Sequence, residues 1–292
     1  MTMGQLPVES LTLSEETRAS LPGSFIALPL GVTHYQLGGP PSGRPVVLVH
    51  GFSVPMYLWD PTFEALVGAG FRVLRYDLFG RGGSDRPPLK NNVDLFDRQL
   101  ETLLDGLAIA SPVSLVGASM GAIIAASFAD RHPERVDRLA LIDPAGFPLN
   151  WGLPFRLMAL PVVGELMMPL FGARMLASGL PGDLFWPEGY PQYVDQFYPQ
   201  LAYRGFRRSI LSTLRCMPLD DHEAVYRRVG ALDRPNLLVW GEHDGTVPFE
   251  YHRAALRAMP QAEFHAVREA GHIPHYERPE VVGPLLVRFL RG

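Results

Sequence analysis

The sequence LVGASMGA, residues 115–122, places Ser119 between two glycines in the pattern G-x-S-x-G. Aliphatic residues typical of a buried strand precede it at 113–116, and alanine-rich, helix-forming residues follow it at 122–129. A serine on a sharp turn between strand and helix presents its hydroxyl above the carboxyl edge of a sheet, and flanking glycines remove side chains that would collide there. The pattern is short enough to occur by chance, so this context carries the argument. It predicts that Ser119 is a nucleophile.

A serine hydroxyl needs a base to remove its proton, and the base needs an acid that fixes its tautomer. Asp244 directly follows an apolar run in VWGEHDGTVP, residues 239–248. His272 stands in a glycine-containing loop in REAGHIPHYERPE, residues 268–280. The order serine, acid, histidine, with each group after a strand, places all three at one edge of a parallel sheet. The sequence therefore predicts Ser119, Asp244 and His272 as the catalytic residues.

Two other residues compete for these roles. Asp143 also ends a predicted strand and is an alternative acid for orienting the histidine. His275 is an alternative base, but the glycine before His272 makes that residue easier to present to a site. We interpret His275 as packing near Glu277. On sequence alone these alternatives stay open.

An acyl-transfer site also needs backbone donors for the developing oxyanion. The Met120 N–H lies at the start of the predicted helix, where no helical partner exists. A second candidate is the Phe52 N–H in LVHGFS, residues 48–53, where His50 is expected to bond the loop backbone and hold its shape. Ser53 is predicted to line the pocket, and the alternative that its hydroxyl only caps the loop is equally open.

A glycine-rich loop, RYDLFGRGGSDRP at residues 75–87, matches neither the P-loop nor the dinucleotide-binding pattern. We interpret Asp77, Arg81 and Asp85 as structural residues that fix this loop by hydrogen bonds and ion pairs.

Short runs of β-branched and aromatic residues alternate with longer segments of helical period, which is the pattern of a mainly parallel sheet covered by helices. An antiparallel hairpin at residues 24–38 is predicted at the edge of this sheet. The remaining predicted strands are 46–51, 71–77, 113–117, 136–143, 236–241 and 262–267. The predicted helices are 59–69, 93–109, 120–131, 249–259 and 279–290, with a loosely held helical turn at 14–20.

The alternation stops between residues 144 and 233, a segment rich in proline, methionine and aromatic residues. A segment of this size that leaves the sheet after one strand and rejoins it at the next predicts an inserted helical cap, or lid. We therefore predict an N-terminal extension at 1–22, an α/β core domain at 23–143 and 234–292, and the cap at 144–233.

Methionine and aromatic side chains adapt to flexible apolar ligands, so part of the cap is expected to hold substrate. The alternative for each of these residues is that it belongs to the cap's own core. The predicted substrate-binding residues are Trp151, Phe155, Met158 and Met167 in the cap, with Ser53 and Ile273 beside the catalytic loops.

Composition excludes several classes of function. The formal net charge of the 292 residues is −4 with scattered charges, which argues against a nucleic-acid partner. Cys216 is the only cysteine, so an internal disulfide and a multi-cysteine metal site are excluded, and no metal or cofactor is predicted. The N-terminus lacks a secretory pattern, and the apolar stretch at 157–170 is interrupted by prolines and Glu165. These features predict a cytoplasmic protein without an integral membrane segment, and they leave its oligomeric state open.

Five ordered motifs resemble the α/β-hydrolase fold superfamily, over nearly the whole chain. They are HGF at 50–52, YDLFGRGGSD at 76–85, GASMG at 117–121, GEHD at 241–244 and GHIPHYERPE at 271–280. The resemblance implies an eight-stranded sheet, a Ser119–His272–Asp244 triad and an oxyanion hole from Phe52 and Met120. The chain looks most like cap-bearing serine esterases, lipase-like members and hydrolases that cleave C–C bonds of aromatic ring-fission products. Haloalkane dehalogenases and epoxide hydrolases of this fold use an aspartate where this chain has serine.

The predicted function is hydrolysis of a carboxylic ester through an acyl-enzyme, with an apolar acyl group or a small lipophilic ester as substrate. The alternative is a C–C bond hydrolase, which would need basic residues such as Arg204, Arg207 or Arg208 to hold a carboxylate. Perhydrolase or acyltransferase activity would use the same triad. A noncatalytic ligand receptor of this fold often lacks a triad member, and here all three are present.

Overall fold

The computed structural model describes residues 6–109, 112–149, 152–217 and 219–292. These residues form one sheet of eight strands in the order β1-β2-β4-β3-β5-β6-β7-β8. The strands are β1 Ser24–Leu28, β2 Gly31–Gly38, β3 Pro45–Val49, β4 Arg72–Tyr76, β5 Val113–Ala118, β6 Val136–Ile142, β7 Asn236–Gly241 and β8 Glu263–Val267.

Strands β3 to β8 are parallel to one another, whereas β1 pairs antiparallel with β2 and β2 with β4. The predicted mostly parallel, eight-stranded α/β fold with an edge hairpin is therefore confirmed. Strand β5 lies inside the sheet between β3 and β6, and every residue in it is buried. Because all parallel strands end at the same edge, the turn after β5 lies beside the loops after β3, β6, β7 and β8.

Helices cover both faces of the sheet. The helices that belong to the α/β part are α2 Asp60–Gly68, α3 Val93–Gly106, α4 Met120–Arg131, α11 His252–Ala258, α12 Pro274–Glu277 and α13 Pro279–Arg291, with a short α1 at Glu15–Ala19. Between β6 and β7 lie α5 Gly152–Ala159, α6 Val163–Met167, α7 Ala173–Gly179, α8 Pro191–Asp195, α9 Phe206–Cys216 and α10 Glu223–Gly230. A π-helical turn at Met168–Gly172 joins α6 to α7, and 3₁₀ turns occupy Met56–Trp59, Pro133–Arg135, Leu180–Asp183, Pro187–Gly189, Tyr198–Ala202 and Phe249–Tyr251.

Two apolar clusters sandwich the sheet because alternate side chains of each strand point to opposite faces. In β5, Leu115 belongs to the cluster under α3 and α4, and Val116 belongs to the cluster under α2 and α13. A third cluster lies among the helices between β6 and β7 and includes Val54, Leu58 and Ile273 from the rim of the sheet. This cluster joins the inserted segment to the α/β part.

Two helix ends differ from the sequence prediction. The helix predicted at 93–109 ends at Gly106, and Ala108 has a positive φ of 53° that turns the chain out of the helix. The helix predicted at 249–259 begins as a 3₁₀ turn and becomes α-helical at His252.

The segment predicted as a cap, 144–233, does not pack as one body. Helix α10 lies against α4 and α11, and its Tyr226 and Val229 belong to the apolar cluster under α3 and α4. The helices before it, from α5 to α9, build the third cluster over the rim of the sheet. The part of the inserted segment that packs separately from the α/β core therefore ends before α10.

No helix within the described ranges is long and apolar enough to span a bilayer.

Candidate active site

Ser119 is the single residue between the end of β5 and the start of α4. Ser119 has φ 55° and ψ −121°, a conformation that costs a non-glycine residue about 1–3 kcal/mol. A Cβ on Gly117 would stand 2.4 Å from the Gly121 carbonyl oxygen, and a Cβ on Gly121 would stand 2.1 Å from the Val49 carbonyl oxygen. Both glycines of the motif are therefore required by the close approach of strand and helix, and the turn holds the serine at the edge of the sheet.

Asp244 is held in place by three hydrogen-bond donors. Its Oδ1 accepts from the N–H groups of Thr246 at 2.8 Å and Val247 at 2.9 Å, and its Oδ2 lies 2.7 Å from Nδ1 of His272. The carboxyl group is fully buried. Three donors stabilise the ionised form, and an ionised Oδ2 can only accept from Nδ1–H, which leaves Nε2 of His272 as the basic nitrogen.

The environment of His272 increases its basicity. Burial lowers the pKa of this imidazole, but the charge of Asp244, the hydrogen bond to it and the charge of Asp183 raise the pKa by more. The result is a pKa above the ordinary value for histidine. A base of this kind accepts the proton of an attacking hydroxyl readily and returns it to a leaving group.

Ser119 and His272 line the same cavity, which has a volume of about 340 Å³ and is called the Ser119 cavity below. No hydrogen bond joins the Ser119 hydroxyl to the His272 ring among the described residues, and such bonds often tighten only when substrate is bound. A Cβ on Gly51 would stand 3.3 Å from the Ser119 Cβ, so this glycine keeps the space beside the serine open.

Two backbone N–H groups near Ser119 are available as hydrogen-bond donors. The N–H groups of Phe52 and Met120 donate to no acceptor in the part of the chain that the structure describes. Phe52 and Ser119 both line the Ser119 cavity, and Met120 begins α4 directly after the serine. Unpaired, pre-oriented donors beside a nucleophile are what an oxyanion requires.

Side chains around the β3 loop hold the Phe52 peptide in position. The Leu78 N–H donates to Nε2 of His50 at 2.9 Å, so the proton of this imidazole lies on Nδ1, 3.0 Å from the Gly51 carbonyl oxygen. Burial lowers the pKa of His50 to about 4, which keeps it neutral. Nε of Arg81 donates to the Phe52 carbonyl oxygen at 2.8 Å. The expected role of His50 in shaping this loop thus has a geometric basis, and Arg81 shares it.

The two competing residues take different positions. Asp143 is buried beside Asp244, where its Oδ1 accepts from the Gly241 N–H at 2.9 Å, and it makes no hydrogen bond to His272. His275 stacks on Trp59 with ring centroids 4.3 Å apart, and burial lowers its pKa to about 3. It does not line the Ser119 cavity.

Some of the residues predicted to bind substrate line the Ser119 cavity, and others do not. Ser53, Phe155 and Ile273 line the Ser119 cavity. Met158 and Met167 do not line it; Met158 is buried in the third apolar cluster and Met167 packs against that cluster. Trp151 lies outside the described residues. Apolar lining residues that the sequence did not single out are Val54, Leu58, Met175, Leu176, Leu180 and Leu214.

Asp183 is a polar residue at this cavity that no sequence motif marks. Its carboxylate accepts from the hydroxyls of Tyr193 and Thr246, each at 2.9 Å, and its backbone carbonyl accepts from the His272 N–H at 2.7 Å. It ends a 3₁₀ turn in a stretch of proline and glycine, which carries no sequence signal for a site. It connects the inserted segment directly to the loop of the candidate base.

Glu277 makes a second connection of the same kind. Its carboxylate accepts from the N–H groups of Gly271 and Phe185, each at 2.7 Å. The loop that carries His272 is therefore tied to residues 183–186 on both sides of the imidazole.

A second cavity of about 310 Å³, called the His34 cavity below, lies between the edge hairpin, the glycine-rich loop and the inserted segment. Nδ1 of His34 lies 2.6 Å from Asp77, which also accepts from the Met56 and Gly83 N–H groups. A Cβ on Gly82 would stand 2.0 Å from Asp77 Oδ2. The glycines of this loop thus wrap a carboxylate, which agrees with the structural interpretation of Asp77.

Comparison with known proteins places this chain in a family. A family model described as the alpha/beta hydrolase fold matches residues 44–279. The chain belongs to the α/β hydrolase family. Over 275 residues this α/β hydrolase is 29% identical to the 2-hydroxy-6-oxononadienedioate/2-hydroxy-6-oxononatrienedioate hydrolase of Paraburkholderia xenovorans, across 88% of this chain and 90% of that protein.

Solved structures of similar fold include one named as an enol-lactonase and one named as an esterase. The enol-lactonase from Burkholderia xenovorans LB400 superposes with a TM-score of 0.79 at 24% identity, covering 92% of this chain and all of that one. A thermophilic esterase from Thermogutta terrifontis superposes with a TM-score of 0.77 at 25% identity, covering 93% of this chain and 98% of that one. The family and these relatives support hydrolase activity for this α/β hydrolase. They do not identify the bond that it cleaves, which has to be argued from its own site.

Proposed function

We propose that this α/β hydrolase is a serine hydrolase that cleaves carboxylic esters through an acyl-enzyme. The observation that carries the proposal is that Ser119 and His272 line one cavity, with Asp244 bound to His272 and with two N–H groups near the serine that have no acceptor among the described residues. Each of these groups has a place in acyl transfer, and the mechanism needs no further group from the chain.

In the proposed reaction, Ser119 Oγ attacks the ester carbonyl carbon while its proton moves to His272 Nε2. The carbonyl electron pair moves to the oxygen, which accepts hydrogen bonds from the Phe52 and Met120 N–H groups, and Asp244 stabilises the imidazolium. The intermediate then expels the alcohol, which takes the proton from His272. Water repeats the sequence on the acyl-enzyme and releases the acid.

The lining of the Ser119 cavity favours a neutral substrate with an apolar part. Most of its lining residues are aliphatic or aromatic, and no arginine or lysine is present among the described ones. The ionisable groups that line it are Asp183, Tyr193 and His272. An anionic substrate would meet the Asp183 carboxyl group without a cation to balance it, so we propose an uncharged apolar or small lipophilic ester.

A C–C bond hydrolase is the second candidate, because one relative is named as a 2-hydroxy-6-oxononadienedioate hydrolase and one solved structure of similar fold as a meta-cleavage product hydrolase. The arginines that were candidates for holding its carboxylate are engaged elsewhere or exposed. Arg207 donates to the carbonyls of Pro7 and Pro169, Arg208 donates to the carbonyl of Arg86, and Arg204 is exposed. None of the three lines the Ser119 cavity.

The proposal is tested by labelling with a fluorophosphonate probe, which reacts with activated serines. We expect covalent modification at Ser119 and no modification of the Ser119→Ala variant. Ser127→Ala is the matched control, since this serine lies buried in the same helix and has no partner for its hydroxyl among the described residues. Labelling that persists in Ser119→Ala would refute the assignment.

The bond is identified by turnover of a panel of p-nitrophenyl esters of increasing acyl length beside a dienone ring-fission product. We expect the highest kcat/KM for an uncharged ester of medium acyl length. Faster turnover of the dienone would instead establish the C–C hydrolase.

A further inference from the structure

A third carboxyl group lies beside the proposed acid and base, and the mechanism above does not use it. Asp143 directly follows β6, and polar atoms of Asp143, Asp244 and His272 all lie within 4.8 Å of one another. All three residues are buried. Two carboxyl groups therefore share one water-poor space with a single imidazole.

The hydrogen-bond donors around the two carboxyl groups are unequal. Asp244 accepts from two backbone N–H groups and from His272. Asp143 accepts from the Gly241 N–H through Oδ1, and its Oδ2 accepts from no donor among the described residues, so a hydrogen bond between the two carboxyl groups requires that one of them is protonated. A buried ionised oxygen without a donor is unfavourable, whereas a protonated oxygen is itself a donor.

Electrostatics assign the single negative charge to Asp244. Two buried carboxyl groups this close do not both ionise, and the one with more donors keeps the charge. Burial, followed by the charge of Asp244, raises the pKa of Asp143 well above the ordinary value, and Glu277 acts in the same direction. Asp183, which faces Asp244 and His272 from the inserted segment, adds another acidic group to the same surroundings.

We propose that Asp143 is a neutral carboxylic acid in the resting enzyme, where it acts as a positioning residue that shares its proton with Asp244, and that it supplies the negative charge when Asp244 is absent. This inference rests on the proposed serine mechanism. A neutral Asp143 adds no further negative charge to those of Asp244 and Asp183 beside His272, so that the imidazolium can still release its proton to the leaving alcohol.

The backbone at this position is compatible with the proposed test. Asp143 has a positive φ of 44°, a region that Asp and Asn tolerate better than other non-glycine residues. Asn at this position keeps an acceptor for the Gly241 N–H and a donor for Asp244, but it cannot ionise. Asp143→Asn therefore fixes the neutral state without removing either hydrogen bond.

The experiment compares Asp143→Asn, Asp244→Ala and the double variant by kcat/KM for an ester. We expect Asp143→Asn to stay within about ten-fold of wild type, inside the usual range of coupling between neighbouring groups, since the amide keeps the neutral state and its hydrogen bonds. Asp244→Ala should lose about 10³-fold, and the double variant about 10⁴-fold, the full cost of removing a triad acid. The acid limb of the pH profile should move to lower pH in the double variant relative to Asp244→Ala, because His272 has then lost both charges.

The protonation state is measured separately by infrared spectroscopy, which does not depend on activity. Wild type at pH 7 should show a protonated-carboxyl band that Asp143→Asn lacks and that Asp137→Asn retains. Asp137 is the matched control because it lies exposed at the opposite end of the same strand. Should Asp143→Asn not fold, Asp143→Ser provides an uncharged donor at the same position.

Three results would overturn the inference. A loss in Asp143→Asn as large as that in Asp244→Ala would mean that Asp143 is the ionised acid. Equal activities and pH profiles of Asp244→Ala and the double variant, or an unchanged infrared band in Asp143→Asn, would mean that its proton has no part in the site. Failure of the serine mechanism itself would appear instead as absent labelling of Ser119 in the wild-type enzyme.

Discussion

The Ser119 cavity and the His34 cavity are similar in size, at about 340 and 310 Å³, but their polar groups are arranged in opposite ways. In the His34 cavity both ring nitrogens of His34 are engaged, with Asp77 and the Pro22 carbonyl, and Arg75 donates to Gln36, Asp60 and the Met56 carbonyl. In the Ser119 cavity, two backbone N–H groups have no acceptor among the described residues.

Paired and unpaired polar groups have different consequences for the free energy of folding and for catalysis. Charged groups that satisfy one another lower the free energy of the folded state and offer nothing to a ligand. Donors left unpaired beside a nucleophile cost folding free energy, and they recover it only when a developing charge occupies the gap. The larger number of charged groups therefore does not by itself identify the candidate site in this molecule.

The largest expected effect is at the serine. Ser119→Ala should lower kcat for an ester by about 10⁶-fold, because the nucleophile and the proton transfer are lost together. Urea denaturation should show no loss of stability, since the substitution removes only a hydroxyl. A variant that retained more than a hundredth of wild-type activity would show that the Ser119 cavity is not where the chemistry takes place.

The next effect belongs to the His34 cavity. Asp77→Asn breaks a buried pair and should lower the free energy of unfolding by about 3–5 kcal/mol, measured by urea denaturation at pH 7. Native protein that remains should keep its kcat within about ten-fold, because Asp77 does not line the Ser119 cavity.

The stability that Asp77 contributes should decrease as the pH falls. Burial alone would raise the pKa of Asp77, but the hydrogen bond and charge of His34 lower it to about 2. A lowered carboxyl pKa contributes stability that is present above the unfolded value of about 3.9 and is lost as pH falls through the folded value. Wild type should therefore lose about 2 kcal/mol between these two pH values, and an equal loss in Asp77→Asn would contradict the assignment.

A smaller effect is expected at His50, which connects the two kinds of role. His50→Leu leaves the buried Leu78 N–H without an acceptor and should cost about 1–3 kcal/mol of stability. It should also lower kcat about ten-fold with little change in KM, since it releases the loop that aims the Phe52 N–H. His265→Leu, at an exposed histidine on β8, is the control, and equal kcat values for the two variants would separate His50 from the oxyanion loop.

The smallest effect is expected at Asp60, whose side chain is 40% exposed and pairs with Arg75. Asp60→Asn should change the free energy of unfolding by at most about 1 kcal/mol and leave ester kcat unchanged. A larger loss of stability would mean that the ion network of the His34 cavity extends to its rim.

Local signals in the sequence predict the fold and much of the candidate site. The β5–Ser119–α4 turn is readable because its two glycines are required by contacts within a few residues, and Asp244 and His272 follow predicted strands. The position of Phe52 follows in the same way from the end of β3. Each of these predictions depends on one strand and the loop after it, which short-range patterns specify.

Residues whose role depends on packing between distant segments were not predictable in this way. Met158 and Met175 are chemically alike, but only Met175 lines the Ser119 cavity, and the choice depends on how α5 and α7 pack over the rim. Asp183 and His34 have no motif because their partners lie tens of residues away. The packing of α10 on α4 could not be predicted either, since nothing in the sequence of α10 marks this contact.

The ties from Asp183 and Glu277 to the His272 loop restrict how a substrate can enter. If residues 183–186 move away from the His272 loop to admit a substrate, His272 loses its backbone hydrogen bond to Asp183. Proton transfer then stops until residues 183–186 move back. Entry past α5 disturbs no such tie. An ester that uses the first route would be turned over at the speed of reclosure, whereas one that uses the second would be turned over at the speed of the chemistry.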